Sequence, residues 1–563
     1  MLPVQFILLL IIVSLPQAGT GGPAKEQPGF PWLAALAYVA SPMIVAAYAW
    51  IRTRKSVREL HEPASSASTI MQHAETLYSR ARWLTILLAA TILYSTSLPQ
   101  AVLALIARTP IPRGPDGQFP IVPELLFILP IVAGWMAIWT ASYFLQSAGR
   151  ERSMPFQLAQ ALPVHEMPTL GRYLALQCRH NFFPFVFLVL EVSVMWAVWG
   201  VVRLFPTHAT AEQIANRANI IGEFLGPVVA IVTLPWLLIP LWSTTPLTGP
   251  LRGRLDAIAA RYKLRFRNIL IWRTEHMVLN AAILGWMPFA RYFLMSDSLL
   301  ESISDRQIEA VFAHEVGHGV HRHVPWYLAI MLAAFGLSLG LTGGSIYLLQ
   351  ALFHVSNDTV GEILFLVHWL AAAGLSVPFI APRFEHQADW FASRHMAEML
   401  EENRRSAPAG VADFILPPQP TAADVTLDAY RAGHYPHAAD LSQVPPLAAA
   451  AFPAHGAGTG APHGSASTAP LHPASAASPL QAGAEIFISA LDAVVESSNR
   501  DRDHRGWMHP SVSDRFKLLR DMAAYPTLAE QFNRRMRKLR WIMAAFFIVG
   551  GVSGVIALFW GAK

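Results

Sequence analysis

Residues 304–323, SDRQIEAVFAHEVGHGVHRH, contain a His-Glu-x-x-His motif made of His314, Glu315 and His318. On a helix, histidines four positions apart lie on one face, so both rings can reach one metal ion. Glu315 lies one position further round the helix, where it can hold a water beside the metal and take its proton. The motif therefore predicts a metal site with a general base.

The start of this helix can also be read from the sequence. Ser304 followed three positions later by Gln307 is a capping box, and Asp305 places a carboxylate in the first turn, where the helix dipole favours it. Apolar residues such as Val311 and Phe312 then supply a face that can be buried. The motif is therefore expected late in a well-formed helix.

The composition indicates a polytopic membrane protein. The 563 residues are 53% hydrophobic and 14% charged, and the mean hydropathy is +0.36. The net charge of +5 favours lipid-facing loops over nucleic-acid binding, so no nucleic-acid partner is predicted. The single cysteine, Cys178, excludes an intrachain disulfide and cysteine-rich zinc fingers, so histidines and carboxylates must hold the metal.

Eight apolar stretches are each long enough to cross a hydrocarbon core of about 30 Å. They lie at about 32–51, 83–107, 122–146, 184–205, 221–243, 325–353, 360–382 and 541–560. A further apolar run within residues 1–19 fits either a signal peptide or a short first span.

The loop charges predict an orientation. Basic loops at 52–82 and 147–182 alternate with weakly charged ones, and the positive-inside rule places basic loops in the cytoplasm. Counting spans then puts 244–324 and 383–540 on the cytoplasmic side as well. We expect a multi-pass protein of a bacterial inner membrane with its catalytic region in the cytoplasm.

The predicted fold is mainly α, with an α+β catalytic region that includes strands at 268–272 and 292–295. The predicted N-terminal part is a signal peptide or short first span at 1–19 and a five-span bundle at 20–247. The predicted catalytic region lies at 248–324 and 483–540, with two spans at 325–382, a helix at 383–404 and an insert at 405–482 between its two parts, and a final span at 541–563 follows. Pro382 is expected to end the second of these two spans, so that the helix at 383–404 is separate from it. The insert is rich in Ala, Pro, Ser, Gly and His, which predicts disorder.

A catalytic zinc ion needs a third protein ligand. His321 could supply it, but Glu385 in RFEHQADWFASRH is the stronger candidate. Asp389 lies one turn beyond Glu385 and can accept a hydrogen bond from a ligand imidazole, which would fix the orientation of the ring. His386 and His395 of the same helix are expected at the surface.

Four separated motifs occur in one order along the chain. They are Asn280-Ala281 with Gly285, SDRQIEAVFAHEVGH, Arg383-x-Glu385-x-x-x-Asp389, and His509-Pro510 with Arg515. Together they resemble the integral-membrane zinc metallopeptidases of the CAAX prenyl protease type I and HtpX family. The resemblance covers roughly 250–400 and 485–525 and implies a zincin-like catalytic region.

The resemblance implies a role for each residue of the site and one Zn²⁺ per chain. The zinc ligands would be His314, His318 and Glu385; Glu315 would be the general base; Asp389 would orient a ligand histidine; His509 would help to stabilise the oxyanion; Asn280 would lie on the strand that clamps the substrate backbone; and Arg515 would support the site. The implied activity is a zinc metalloendopeptidase.

The implied substrates are membrane-linked or misfolded polypeptides, but the insert, the final span and the first apolar run differ from the prenyl protease branch. Whether the substrate is prenylated therefore stays open, as does the oligomeric state. Two other functions are also compatible with the sequence. One is a catalytically silent membrane scaffold or sensor that keeps a metal site, and the other is a transporter, for which Glu191 and Glu223 are the acidic indications.

Overall fold

The computed structural model describes residue 5 and residues 30–62, 66–110, 122–159, 164–204, 225–226, 228–229, 232–354, 358–406, 478–497, 502–503, 505–506 and 509–560. Nearly all of the predicted 1–19 segment and of the 405–482 insert lies outside these residues, and so do residues 221–224, 227 and 230–231 of the predicted span at 221–243.

The described chain is mostly helical, with one small sheet in the catalytic region, which confirms the predicted fold class. The helices are α1 (Trp32–Leu60), α2 (Ala67–Ser95), α3 (Leu98–Ile106), α4 (Val122–Ala159), α5 (Leu170–Phe182), α6 (Pro184–Leu204), α7 (Pro250–Arg261), α8 (Asp297–Ser302), α9 (Asp305–Val320), α10 (His323–Phe353), α11 (Asp358–Ser406), α12 (Pro479–Ser497), α13 (Val512–Ala524) and α14 (Pro526–Trp560). The strands are β1 (Thr244–Pro246), β2 (Asn268–Trp272), β3 (Ala281–Leu284) and β4 (Tyr292–Ser296).

Among the described residues, five helices are long and apolar enough to cross a membrane. They are α1, α4, α10, α11 and α14, and the pair α2–α3, bent by 77°, would make a sixth span. All six coincide with predicted apolar stretches. Helix α6 also covers the predicted stretch at 184–205.

The N-terminal helices pack around a shared apolar core. Trp135 and Trp139 of α4 are almost fully buried, and so is Tyr38 of α1. Two polar side chains in this core are hydrogen-bonded. Trp135 Nε1 donates to Thr85 Oγ1 at 2.8 Å, and the Tyr38 hydroxyl donates to the Phe127 carbonyl at 2.7 Å. The bundle is therefore a packed unit beside the catalytic region.

The sheet has the order β1-β2-β4-β3. Its two central strands, β2 and β4, are parallel and coincide with the two strands predicted from the sequence. Ile269 and Phe293 of these strands pack against Phe312 of α9 in the core of the catalytic region. Strand β3 pairs antiparallel with β4 and lies at the edge of the sheet, alongside α9.

Gly285 ends β3 in a conformation with φ of +81°. A Cβ at this position would lie 2.1 Å from the Ala290 carbonyl oxygen, so the turn requires glycine. This turn returns the chain into β4 and fixes the position of the edge strand.

The predicted capping box is present at the start of α9. The Ser304 side chain accepts from the Gln307 backbone, and the Gln307 side chain accepts from the Ser304 N–H. The helix ends at Val320, and Arg322 takes a left-handed conformation with φ of +57°. Pro325 then lies in the first turn of α10, where its missing N–H costs no helical hydrogen bond.

The predicted helix break at Pro382 is wrong, because α11 continues through Pro378 and Pro382 for 49 residues. Prolines are tolerated within membrane helices, where other groups satisfy the freed carbonyls. The predicted span and the helix that carries Glu385 and Asp389 are consequently one continuous helix.

Helices α10 and α14 cross at small residues. A Cβ on Gly550 would lie 2.2 Å from the Ala333 carbonyl oxygen, and a Cβ on Gly336 would lie 2.2 Å from the Gly550 carbonyl oxygen. Such close approach is a common means of packing helices in lipid. It joins the last helix to the one that follows the His-Glu-x-x-His motif.

Candidate metal centre

The two motif histidines meet across one turn of α9. Their Nε2 atoms are 3.0 Å apart, and the ring planes are inclined at 76°. Both side chains are largely buried. Two ring nitrogens this close cannot both carry protons without repulsion, and at least one must be unprotonated. The arrangement therefore suits two lone pairs directed at one cation.

Helix α11 brings Glu385, the predicted third ligand, to the same point. Its Oε1 lies 3.6 Å from His318 Nε2, and its Oε2 lies 3.9 Å from His314 Nε2. Glu385 is only 9% exposed. A buried carboxylate is costly unless it is paired or binds a metal, so the site is suited to positive charge.

These three residues fit a tetrahedral metal. Zinc bonds of about 2.0–2.1 Å to nitrogen and oxygen place neighbouring ligand atoms about 3.3–3.4 Å apart. The three separations here, 3.0, 3.6 and 3.9 Å, lie around that value. His314, His318 and Glu385 are therefore spaced as three ligands of one ion.

Asp389 lies beside the other ring nitrogen of His314. Its Oδ1 is 3.0 Å from His314 Nδ1, although the approach is not aligned for a full hydrogen bond, and the residue is fully buried. Burial alone would lower the pKa of His314, but the Asp389 and Glu385 carboxylates outweigh it and raise the pKa. A proton on Nδ1 would therefore face the Asp389 carboxylate, which would leave Nε2 free to bind a metal.

Arg515 of α13 completes this arrangement. Its Nε donates to Asp389 Oδ2 at 2.8 Å and its Nη2 donates to Oδ1 at 2.5 Å, a bidentate pair. Burial opposes the charge on Arg515, but the contact with Asp389 outweighs it and raises the pKa. The buried guanidinium therefore balances the buried Asp389 carboxylate.

A second support was not predicted from the sequence and lies behind His318. Its Nδ1 is 2.7 Å from His323 Nδ1, and His323 Nε2 is 3.1 Å from Gln387 Oε1. Since Gln387 accepts the proton of His323 Nε2, His323 Nδ1 is free to accept the proton of His318 Nδ1. This chain leaves His318 Nε2 with its lone pair facing the site.

One sign of this support is present in the sequence, where His321 and then a second histidine, His323, follow the motif. The position of His323 depends on the left-handed conformation of Arg322 between the two helices, and its ring lies 4.8 Å from that of His318. Burial and the neighbouring His314 lower the pKa of His318 to about 4, so its imidazole is neutral at pH 7.

Glu315 lies beside the edge strand. Its Oε2 accepts a hydrogen bond from the Ile283 N–H of β3 at 3.0 Å. Burial raises the pKa of Glu315, and the nearby His314 opposes that shift. The carboxylate thus adjoins both the metal ligands and the strand edge, and its raised pKa suits a group that takes and returns a proton.

The remaining predicted residues lie around this centre. His509 Nδ1 is 3.3 Å from Glu385 Oε2 with its side chain 55% exposed, so it lies at the mouth of the site. Asn280 is exposed at the start of β3, where its N–H donates to Ser296 Oγ at 3.0 Å. The alternative ligand His321 instead has its Nδ1 3.4 Å from Arg540 Nη2.

The surface position expected for His395 is wrong. His395 is 1% exposed, and its Nδ1 lies 3.1 Å from the Tyr262 hydroxyl. It is buried because α11 packs against the chain just after α7 as well as against α9 and α12.

Residues 249–523 match the model of peptidase family M48. The chain is 29% identical over 186 residues to CAAX prenyl protease 1 homolog of Arabidopsis thaliana, a match that covers 30% of this chain and 42% of that protein. It thus spans less than half of that curated relative. The crystal structure of S. mikatae Ste24p is also similar, with 16% identity and a TM-score of 0.40 over 67% of this chain and 91% of that one. The predicted resemblance to a CAAX prenyl protease-type metallopeptidase is confirmed, and residues 249–523 contain every predicted site residue.

Proposed function

We propose that this chain, which carries a peptidase family M48 region, is a membrane-integral zinc-dependent endopeptidase. Its substrates would be membrane-associated or misfolded polypeptides. The single observation that carries the proposal is the convergence of His314, His318 and Glu385 beside Glu315. That set offers three ligands and an adjacent general base, which is what metal-assisted hydrolysis requires.

One zinc ion held by the three ligands would act as a Lewis acid toward water and the scissile carbonyl. Glu315 would take the proton of the attacking water and return it to the leaving amine. His509 at the mouth of the site would donate to the developing oxyanion. Asp389, held by Arg515, would keep His314 in the ligating tautomer throughout.

The substrate backbone would lie along the outer edge of β3, the side that faces away from β4. The Ile283 N–H already points away from β4 toward Glu315, so this edge faces the site. An extended peptide that pairs with this edge would lie beside the general base. Asn280, exposed where the strand begins, would contact the same peptide.

The membrane helices support substrates that reach the site from the bilayer. Helix α11 is continuous and carries both an apolar span and the residues Glu385 and Asp389. The site therefore lies close to the end of a span. The charge pattern of the loops supports a cytoplasmic site in a bacterial inner membrane.

The test compares Glu315→Gln with the matched control Glu309→Gln. Glu309 lies on the same helix but pairs with Arg254 at 2.6 Å, away from the site. Purified full-length Glu315→Gln should keep its zinc and lose cleavage of an unfolded protein substrate, while the control should retain both. Cleavage by Glu315→Gln at the wild-type rate would contradict the proposed role of Glu315 as the general base of a zinc-dependent endopeptidase.

A further inference from the structure

A short helix and a turn of the sheet form one exposed apolar surface outside the five long spans. The helix is Val232–Leu241, and the turn joins β3 to β4. The rings of Trp236 and Phe289 stack across them, with centroids 5.9 Å apart and planes at 20°. Trp236 is 41% exposed, Leu237 38% and Phe289 55%, and Pro288 beside them is exposed as well. We call Trp236, Leu237, Pro288 and Phe289 the apolar tip.

The apolar tip has a fixed place beside the catalytic sheet. The inner side of the short helix packs on the sheet, where Ile239 contacts a buried cluster that includes Leu294 of β4. Phe293, the preceding residue of β4, lies on the opposite face and packs against α9. A Cβ on Gly285 would lie 3.1 Å from Pro235 Cγ, so the helix also touches the turn. The outer side of the helix is therefore held at the end of edge strand β3.

Positive charge without a counter-charge borders the apolar tip. The Arg267 N–H donates to the Arg291 carbonyl at 2.7 Å, and Arg291 Nη1 donates to the Arg265 carbonyl at 2.8 Å. These bonds hold three arginines together, two residues beyond Phe289, and we call them the arginine rim. Among the residues that the structure describes, no carboxylate forms an ion pair with any of the three. Burial and the nearby charge of Arg322 lower the pKa of Arg291, so positive charge accumulates here.

An apolar surface bordered by arginines suits the interface of a bilayer that contains anionic lipids. Aromatic side chains favour the headgroup level, and each basic residue near an anionic surface contributes about 1 kcal/mol. A second copy of this chain fits less well, because a symmetric contact would bring two arginine rims together. The bilayer is also close, since helix Val232–Leu241 falls within the apolar stretch at about 221–243.

We propose that the apolar tip inserts into the headgroup region of the bilayer, with the arginine rim against anionic lipid phosphates. Insertion of this kind reaches about 5–10 Å. Edge strand β3 would then lie within about 13 Å of the lipid, since its four residues rise about 3.3 Å each from the turn. A peptide on this edge would be cleaved close to the membrane surface. That consequence rests on the proposed function, whereas the lipid contact does not.

A nitroxide label on the apolar tip tests the lipid contact. Cys178→Ser removes the one cysteine of the sequence, and Phe289→Cys then carries the label in full-length protein in nanodiscs of phosphatidylcholine and phosphatidylglycerol. Power-saturation EPR should show more collisions with oxygen, which concentrates in lipid, than with a water-soluble nickel chelate. The control Lys517→Cys, exposed on α13, should show the reverse. A label at position 289 that favours the nickel chelate, or that neither reagent reaches, would overturn the proposal.

Lipid composition tests the arginine rim. The label at position 289 should lie less deep when phosphatidylglycerol is left out, and Arg265→Gln combined with Arg267→Gln should remove that difference. The matched control, Arg404→Gln combined with Arg405→Gln, alters two exposed arginines at the far end of α11 and should keep it. Equal depth with and without phosphatidylglycerol, when the rim is intact, would contradict anionic lipids as the ligand. Melting temperatures verify that each variant folds. Neither measurement needs proteolysis, so a failure here leaves the proposed endopeptidase function untouched.

Discussion

The Nδ1 atoms of His318 and His323 lie 2.7 Å apart, with Gln387 behind them at 3.1 Å. Under the proposed zinc site, this contact would orient the ring of His318 as Asp389 would orient the ring of His314. Replacing Gln387 by Leu should remove the acceptor that fixes His323 and weaken zinc binding about 10- to 100-fold. Gln387→Glu keeps an acceptor oxygen and should restore affinity. Competition for zinc with a chromophoric chelator measures the zinc affinity of both variants. Equal affinities for Gln387→Leu and wild type would contradict the supporting role of the hydrogen bonds through His323 and Gln387.

Replacing Arg515 by Met should be strongly destabilising. It leaves the Asp389 carboxylate buried without its bidentate partner, at a cost of about 3–5 kcal/mol. The control is Arg520→Met on the same helix, where an exposed pair with Glu485 contributes about 0–1 kcal/mol. Denaturant or thermal unfolding of the zinc-free proteins measures the difference. Equal losses in the two variants would contradict a stabilising buried pair between Arg515 and Asp389.

Helix packing in the membrane can be tested with adjacent glycines. Gly550→Leu should push α14 away from Ala333 of α10, an overpacking cost of about 1–3 kcal/mol, because a Cβ there lies 2.2 Å from a carbonyl oxygen. A Cβ on the exposed Gly551 would meet nothing within 4 Å, so Gly551→Leu should be tolerated. Melting temperatures in detergent distinguish the two variants. Unchanged stability in Gly550→Leu would argue against the close crossing.

The proposed orientation predicts the labelling of single cysteines. Because Cys178 is the one cysteine in the sequence, Cys178→Ser gives a background without thiols. His354→Cys, at the exposed end of α10, should react with an impermeant maleimide in intact spheroplasts. Arg404→Cys, at the exposed far end of α11, should react only after permeabilisation. The reverse pattern would place the site outside the cytoplasm.

Local sequence patterns were sufficient to predict features that the geometry of a single helix determines. The capping box at Ser304 and the four-residue spacing of His314 and His318 were read correctly because helix geometry alone determines them. The place of Glu385 beside them followed from a requirement, since a zinc site with two motif histidines needs one more ligand.

Other features depend on long-range packing that no local pattern records. His323 lies against His318 because Arg322, between the two helices, takes a left-handed conformation. Pro382 lies inside a continuous helix, although the local preference of proline is to end one.

The most direct test of the central claim locates zinc in the protein by anomalous X-ray scattering at the zinc absorption edge. One peak should lie within bonding distance of His314 Nε2, His318 Nε2 and a carboxylate oxygen of Glu385, about 2.0–2.2 Å from each. It should persist in Glu315→Gln and vanish in Glu385→Ala. A zinc peak that persists without Glu385, or that lies away from the two motif histidines, would contradict the account.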